Sequence, residues 1–225
     1  MSRPFTVQGE VSGHGVGTLP ATFGGFSLEG TRIHNNWVVQ SADPLARLCL
    51  QNVVVRRCQH WANAAPGVVF RNVVVEDIRG GAGGARLLLL ACVFDNVTLA
   101  GSIGGVLFKW RYSFDDTALN SAFLADNTRR YESIDMALDI SRARWTIFDA
   151  LLGVPADLVR RNPETQFILR AEHAQALADR TDIGAWRIVA RDLLESGLPD
   201  TVVVAGQTGI EVEAAHRMRS EQLLR

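Results

Sequence analysis

Apolar positions between residues 48 and 99 recur in one short template. An apolar residue is followed by any residue, then Asn, Val, any residue and a second apolar residue. The template covers residues 50–55, 70–75 and 94–99. Val, Leu and Phe dominate these lines and partly alternate with other residues, which favours strands over helices. The pattern therefore predicts strands stacked on one another.

The Asn of each line keeps one local phase although the spacing varies. Asn52, Asn72 and Asn96 are 20 and 24 residues apart, and periods of this length are typical of stacked repeats. Asn tolerates left-handed backbone and can hydrogen-bond turn groups through its side chain. We therefore predict structural corners at these positions. Weaker matches place further corners at Asn35 and Asp116.

The resulting prediction is a mainly β fold, a short right-handed parallel β-helix of about five to six coils. Gly-rich residues 1–30 would cap its first coil. The pattern changes near residue 147, after which helical spacing appears. We therefore predict two domains: residues 1–147, holding the cap and the β-helix, and residues 148–225, an α+β capping region.

Phe and Leu positions with Asn or Asp between them resemble those of pentapeptide-repeat and related right-handed parallel β-helix proteins. The resemblance spans residues 26–148. It implies a solenoid whose walls bind other molecules. Small bacterial proteins of this kind include immunity proteins, which block a partner protein.

Composition narrows the range of partners. The 225-residue chain is 47% hydrophobic and 21% charged, with a net charge of −1. This balance argues against a broad nucleic-acid or anionic-membrane surface. No basic segment followed by an apolar run opens the chain, and the longest apolar run is too short to cross a bilayer. We therefore expect a cytoplasmic protein.

Cysteine and histidine usage indicates neither disulfides nor metal. Cys49, Cys58 and Cys92 form no Cys-x-x-Cys pair, and the five histidines form no His-x-x-x-His pair. The Gly-rich start lacks the Lys-Ser/Thr of a phosphate-binding loop. We expect no metal and no cofactor.

Loops that interrupt the repeat supply candidate partner-binding residues, because binding groups concentrate on loops of a rigid scaffold. The loops cover residues 59–67, 79–86 and 120–130, the last of which is either a loop or a short helix. The candidates are Trp61, Arg79, Arg86, Arg129 and Arg130. Alternating basic and aromatic residues at 109–112 predict a strand with one aromatic face, with a nucleic-acid strip as the alternative.

The enzyme alternative starts from the scaffold, because parallel β-helices often carry polysaccharide-cleaving sites. Glycosidases need two carboxylates about 5–9.5 Å apart. Asp95 with Asp115 or Asp116 could supply them if the coils stack, giving a glycan hydrolase or lyase. The same acids also suit turns and solvated surface.

The leading hypothesis is a non-enzymatic protein–protein interaction module, in its most specific form a bacterial immunity (antitoxin-like) protein. Its partner would be another protein, with neither nucleic acid nor membrane involved. A homodimer is an alternative use of the same surfaces. The carbohydrate-active enzyme is the alternative function.

Overall fold

The protein combines one large sheet, two small sheets and four helices. The structure, a computed structural model, describes residues 5–7, 10–12, 22–34, 42–61, 63–81, 86–205 and 210–224. The strands are β1 (Phe5–Val7), β2 (Glu10–Ser12), β3 (Thr22–Gly24), β4 (Phe26–Glu29), β5 (Arg32–His34), β6 (Cys49–Arg56), β7 (Gln59–His60), β8 (Asn63–Pro66), β9 (Val69–Gly80), β10 (Leu87–Leu90), β11 (Val93–Asp95), β12 (Val97–Ile103), β13 (Val106–Lys109), β14 (Leu138–Trp145), β15 (Asp149–Ala150), β16 (Val159–Arg160), β17 (Gln166–Arg170) and β18 (Asp200–Val204). The helices are α1 (Thr117–Tyr131), α2 (Ala171–Ala178), α3 (Trp186–Ser196) and α4 (Ile210–Ser220).

The large sheet has 12 strands and runs in the order β1-β4-β6-β9-β12-β14-β16, with parallel neighbours throughout this path. The three template lines lie side by side in register: Leu50 is opposite Phe70, and Phe70 is opposite Phe94. A shared register points equivalent side chains to the same face, because side chains alternate along a strand. The apolar template positions therefore build one continuous inner face.

A second, three-stranded parallel sheet, β13-β10-β8, shares this core. Phe94 stacks on Phe70 along the large sheet, with ring centroids 5.6 Å apart. It also meets Phe108 of the small sheet at 5.4 Å. These aromatic contacts join the two sheets through their apolar faces.

The prediction of a mainly β, right-handed parallel β-helix is wrong. Helices make up 26% and strands 41% of the structure, and the described residues form an α/β-like arrangement without a closed or solenoid sheet. The template encodes which way each strand's side chains point, but it does not encode the path between strands. Helix α1 begins at Thr117, directly after the corner predicted at Asp116.

The asparagines of the three template lines form a hydrogen-bonded ladder. Asn52, Asn72 and Asn96 all adopt left-handed backbone, with φ of 54°, 50° and 55°. The Asn72 amide donates to Asn52 Oδ1 at 3.3 Å, and the Asn96 amide donates to Asn72 Oδ1 at 2.8 Å. Asp116 does not continue this ladder: its carboxylate caps α1 by accepting from Leu119 N–H at 2.8 Å. Asn35 lies outside the described residues.

Substitutions at Asn72 should separate backbone strain from hydrogen bonding. Asn72→Ala and Asn72→Gly both remove the two ladder bonds, but only Ala keeps a Cβ at positive φ. Left-handed backbone costs a residue with a Cβ about 1–2 kcal/mol. The Ala variant should therefore be less stable than the Gly variant by about that amount in urea denaturation. Equal stabilities would show that the left-handed geometry at this position carries no cost.

Helix α1 is held on the large sheet by a buried ion pair. The chain was expected to form a loop or short helix over 120–130, and the structure gives a full helix. Arg47 Nη2 lies 2.9 Å from Asp126 Oδ2, with side chains only 2% and 4% exposed. The Arg47 guanidinium also stacks 4.5 Å above the Phe123 ring and donates to Ala91 O. Burial lowers the pKa of Arg47 to about 10, and the charge of Asp126 opposes that shift.

The C-terminal part has its own hydrophobic cluster. It includes Ala150, Phe167, Trp186 and Leu224, so its members begin just after the boundary predicted at residue 147. The first cluster nevertheless includes Val202 of β18. The division into two domains stays a prediction.

Residues 109–112 attach this C-terminal part to the small parallel sheet. The strand predicted there ends at Lys109, because the next residues turn toward helix α3. Lys109 Nζ lies 2.9 Å from Asp192, and Arg111 lies 2.8 Å from Glu195. Trp110 packs against the C-terminal cluster. These basic side chains are therefore engaged within the protein.

Candidate functional site

The outer side of the large sheet carries an excess of arginine. Three of its arginines lie within ion-pair distance of no carboxylate whose side chain the structure describes; we call this set the arginine face. Its members are Arg79, Arg142 and Arg144. All three are exposed.

Strand register explains why these side chains share a face. Ile78, which precedes Arg79, and Trp145, which follows Arg144, are both opposite Ile103 of β12. Arg144 is opposite Ser102, while Arg142 is opposite Ala100 and two residues from Arg144. Residues two apart on a strand point the same way. Trp145 and Ala143, which alternate with these arginines, are buried on the other side.

Other arginines on the same sheet are already paired. The ion pairs are Arg56 with Glu76 at 3.1 Å, Arg57 with Glu29, Arg71 with Asp95 at 2.7 Å and Arg160 with Asp139 at 3.5 Å. These pairs use the carboxylates of Glu29, Glu76, Asp95 and Asp139. The arginine face is therefore a local positive surface on a chain whose net charge is −1.

A further carboxylate, that of Asp77, is hydrogen-bonded to the backbone. Its Oδ1 accepts a hydrogen bond from Ser102 N–H at 2.8 Å. Gly101, at φ +69°, leaves the space that this carboxylate occupies, because a Cβ there would overlap Asp77 Oδ1. Beside it lies a shallow depression of about 410 Å³ lined by Arg57, Asp77, Arg79 and Ser102, together with Ile78. The lining therefore brings two arginines, Arg57 and Arg79, beside this carboxylate.

A second depression follows the edge of strand β14. It has a volume of about 250 Å³ and is lined by residues 141–145 together with Asn162, Thr165 and Ala205. Arg142 and Arg144 stand on this edge. The arginine face thus continues from the middle of the sheet to one of its borders.

The structure separates the predicted partner-binding residues. Trp61 and Arg79 lie near each other, because β7 and β9 are neighbours and the Trp61 ring packs directly on Gly81. Arg86 is exposed just before β10. Arg129 and Arg130 both form ion pairs with Asp126 on helix α1. Arg79 is therefore the one predicted arginine that belongs to the arginine face.

The acids of the enzyme alternative serve other structural roles. Asp95 forms an ion pair with Arg71 in the large sheet, and Asp116 caps α1. Asp115 is exposed in the turn before that helix, and its backbone N–H donates to Ser113. Asp95 lies on a strand, whereas Asp115 and Asp116 directly precede a helix, so these carboxylates lie on separate elements.

Burial makes the three cysteine thiols harder to ionise. Burial raises the pKa of Cys92 to about 12, and it also raises the pKa values of Cys49 and Cys58. All three are free thiols.

A cavity of about 210 Å³ between the two parallel sheets is lined, within the described part of the chain, by apolar residues alone. Among the described residues, no three His, Cys, Asp or Glu side chains are grouped to hold a metal ion.

Sequence reasoning missed Arg142 and Arg144. The template lines end at residue 99, and β14 was not among the strands that they predicted. The signal was present, because exposed arginines alternate with Ala143 and Trp145 at the period of a strand.

Comparison with known proteins gives no relative to argue from. No protein-family model matches the chain, and neither do curated proteins or solved structures. No helix in the described part of the chain is long and apolar enough to span a membrane. A function must therefore be argued from the arginine face itself.

Proposed function

We propose that this protein is a non-enzymatic interaction module that binds an acidic surface of a partner protein through the arginine face. The observation that carries the proposal is the set of three exposed arginines, Arg79, Arg142 and Arg144, without carboxylate partners among the side chains that the structure describes. A guanidinium presents a planar fork of N–H donors that matches a carboxylate in a bidentate pair.

Charge distribution favours a protein over a nucleic acid as the partner. Glu76, Asp77, Asp95 and Asp139 are interleaved with the arginines on this side of the sheet. A continuous phosphate backbone would pass close to these carboxylates and be repelled. A protein surface can place its carboxylates opposite the arginines alone and avoid the acids.

Loss of the arginine charges should weaken binding of an acidic probe. The variant Arg79→Gln/Arg142→Gln/Arg144→Gln keeps polar side chains of similar length and removes three charges. We expect it to bind fluorescent poly-L-glutamate about tenfold more weakly than the wild type at low salt. Fluorescence anisotropy measures this, and added salt should reduce the difference because these charges are exposed.

A matched control removes three arginines elsewhere. Arg187→Gln/Arg217→Gln/Arg219→Gln lies on helices α3 and α4 and changes the net charge equally. It should bind poly-L-glutamate nearly as well as the wild type does. Equal loss in both variants would show that net charge, and not the arginine face, drives binding. Tighter binding of single-stranded RNA than of poly-L-glutamate would contradict the choice of partner.

The immunity role is the most specific form of this proposal. In it, the acidic partner is a toxin whose working surface the arginine face covers. The wild-type chain would have to inhibit this partner, and the triple variant would have to fail to inhibit it. A partner that binds without any change in its activity would leave only the general interaction role.

A further inference from the structure

One edge of strand β14, in the large sheet's main path, is only partly covered by a neighbouring strand. β14 pairs with β12 at Leu138 and Asp139 and again from Arg142 to Trp145, with a register shift between the two stretches. On the opposite side, β16 pairs with Leu138 and Asp139 only. Within the described part of the chain, no strand continues this ladder along residues 140–145. An edge of this kind offers backbone N–H and C=O groups to another strand.

One side chain partly covers this edge. Gln166 donates its amide to Ile140 O at 2.9 Å and, more weakly, to Ala143 O at 3.4 Å. The same Gln166 accepts from Asn162 N–H through Oε1 at 2.7 Å. The amide is therefore bound mainly at Ile140, with a weaker contact at Ala143. The 250 Å³ groove runs along residues 141–145 of the same edge.

We propose that the partner docks in this groove as an added β-strand, an extended segment whose outward side chains are acidic. The inference rests on the proposed function, because it names the part of the partner that meets the arginine face. Strand addition gives affinity through backbone hydrogen bonds and specificity through alternate side chains. Here the backbone partner is the free edge of β14.

The side chains on this edge define the segment's chemistry. Arg142 and Arg144 are two residues apart, which on a strand corresponds to about 6.6–6.8 Å. An added strand repeats this spacing, so carboxylates at every second position can each face one guanidinium. Ala143 and Trp145 lie on the opposite side, where small apolar side chains of the segment would pack. The expected segment alternates acidic and small apolar residues.

Backbone methylation of a probe peptide tests strand addition separately from charge. The probe is a labelled peptide of alternating Glu and Val. One isomer is N-methylated at every Val and the other at every Glu. Because N–H groups alternate between the two edges of a strand, each isomer has its methyl groups along a single edge.

Strand addition predicts a phase-dependent result. One isomer should lose about tenfold or more in affinity, since its methyl groups block the edge that meets β14, and the other should stay close to the parent peptide. Equal affinities, or equal losses, for the two isomers would overturn the inference. If the parent peptide binds the wild type no better than the triple arginine variant does, the proposed function itself fails instead.

A variant of the chain gives a second readout. Arg142→Gln/Arg144→Gln should weaken the parent peptide about tenfold, whereas Arg187→Gln/Arg217→Gln should leave it nearly unchanged. Both variants keep every backbone group of β14. A loss confined to the first variant supports the placement on this edge, and comparable losses in both would contradict it.

Discussion

Replacing Asp126 with Asn should destabilise the protein by about 3–5 kcal/mol, the cost of breaking a buried ion pair from one side. The Arg47 guanidinium would remain 2% exposed without the carboxylate that lies 2.9 Å away. Arg129 and Arg130 would lose the same partner. Because this cluster joins α1 to the sheet, the helix should detach before the rest of the fold unfolds.

Urea denaturation followed by circular dichroism measures this change. Arg129→Gln is the matched control, because it removes an arginine from the same carboxylate but its side chain is 61% exposed. An exposed ion pair contributes about 0–1 kcal/mol, so the control should stay within that range. If Asp126→Asn costs no more than Arg129→Gln, the buried pair is not what holds α1.

Asp149 should make the protein less stable as pH rises from 4 to 7. This side chain is 8% exposed, and its Oδ2 has no hydrogen-bond partner among the described residues. Burial raises its pKa from 3.8 to about 7, opposed by the backbone N–H groups of Ala150 and Phe108 and the charges of Lys109 and Arg86. The native state therefore keeps a proton that the unfolded state has lost.

The sign and size follow from proton binding. Between the unfolded pKa of 3.8 and the folded value of about 7, the native state binds more protons, so stability falls with rising pH. A shift of this size corresponds to at most roughly 4 kcal/mol. The contribution is fully present below pH 4 and is lost as the pH passes about 7.

The variant Asp149→Asn isolates this carboxyl group from other titrating groups. Asn cannot ionise. The free energy of unfolding of the variant minus that of the wild type should therefore be about 2–4 kcal/mol larger at pH 8 than at pH 5. Urea denaturation at both values measures the difference. Asp135→Asn, at an exposed position, should give no such change. If wild type and variant differ in free energy of unfolding by the same amount at pH 5 and at pH 8, the native state does not keep a proton on Asp149.

The strand repeat could be recognised from sequence because it depends on local rules. Side-chain alternation and the left-handed tolerance of Asn act within a few residues, so the template located β6, β9 and the β11–β12 segment. The global shape depends on how the connections pack. Helix α1 is fixed by Arg47, which lies 79 residues before Asp126 in the chain. No local pattern reports such a contact.

The candidate site divides in the same way. Arg79 was predicted from its place beside a Gly-rich loop. Arg142 and Arg144 were missed, because their significance comes from register with Ala100 and Ser102 and from the lack of nearby carboxylates. The alternation at 142–145 would have predicted an exposed basic strand face. It could not have predicted that β16 leaves the edge open after Asp139.

Chemical protection of arginines tests most directly whether the arginine face is the binding surface. Phenylglyoxal reacts with accessible guanidinium groups, and mass spectrometry reports the extent at each residue. The account predicts that saturating poly-L-glutamate slows modification of Arg79, Arg142 and Arg144, while Arg187 on α3 reacts as before. Unchanged modification of the three arginines, or equal protection of Arg187, would contradict it.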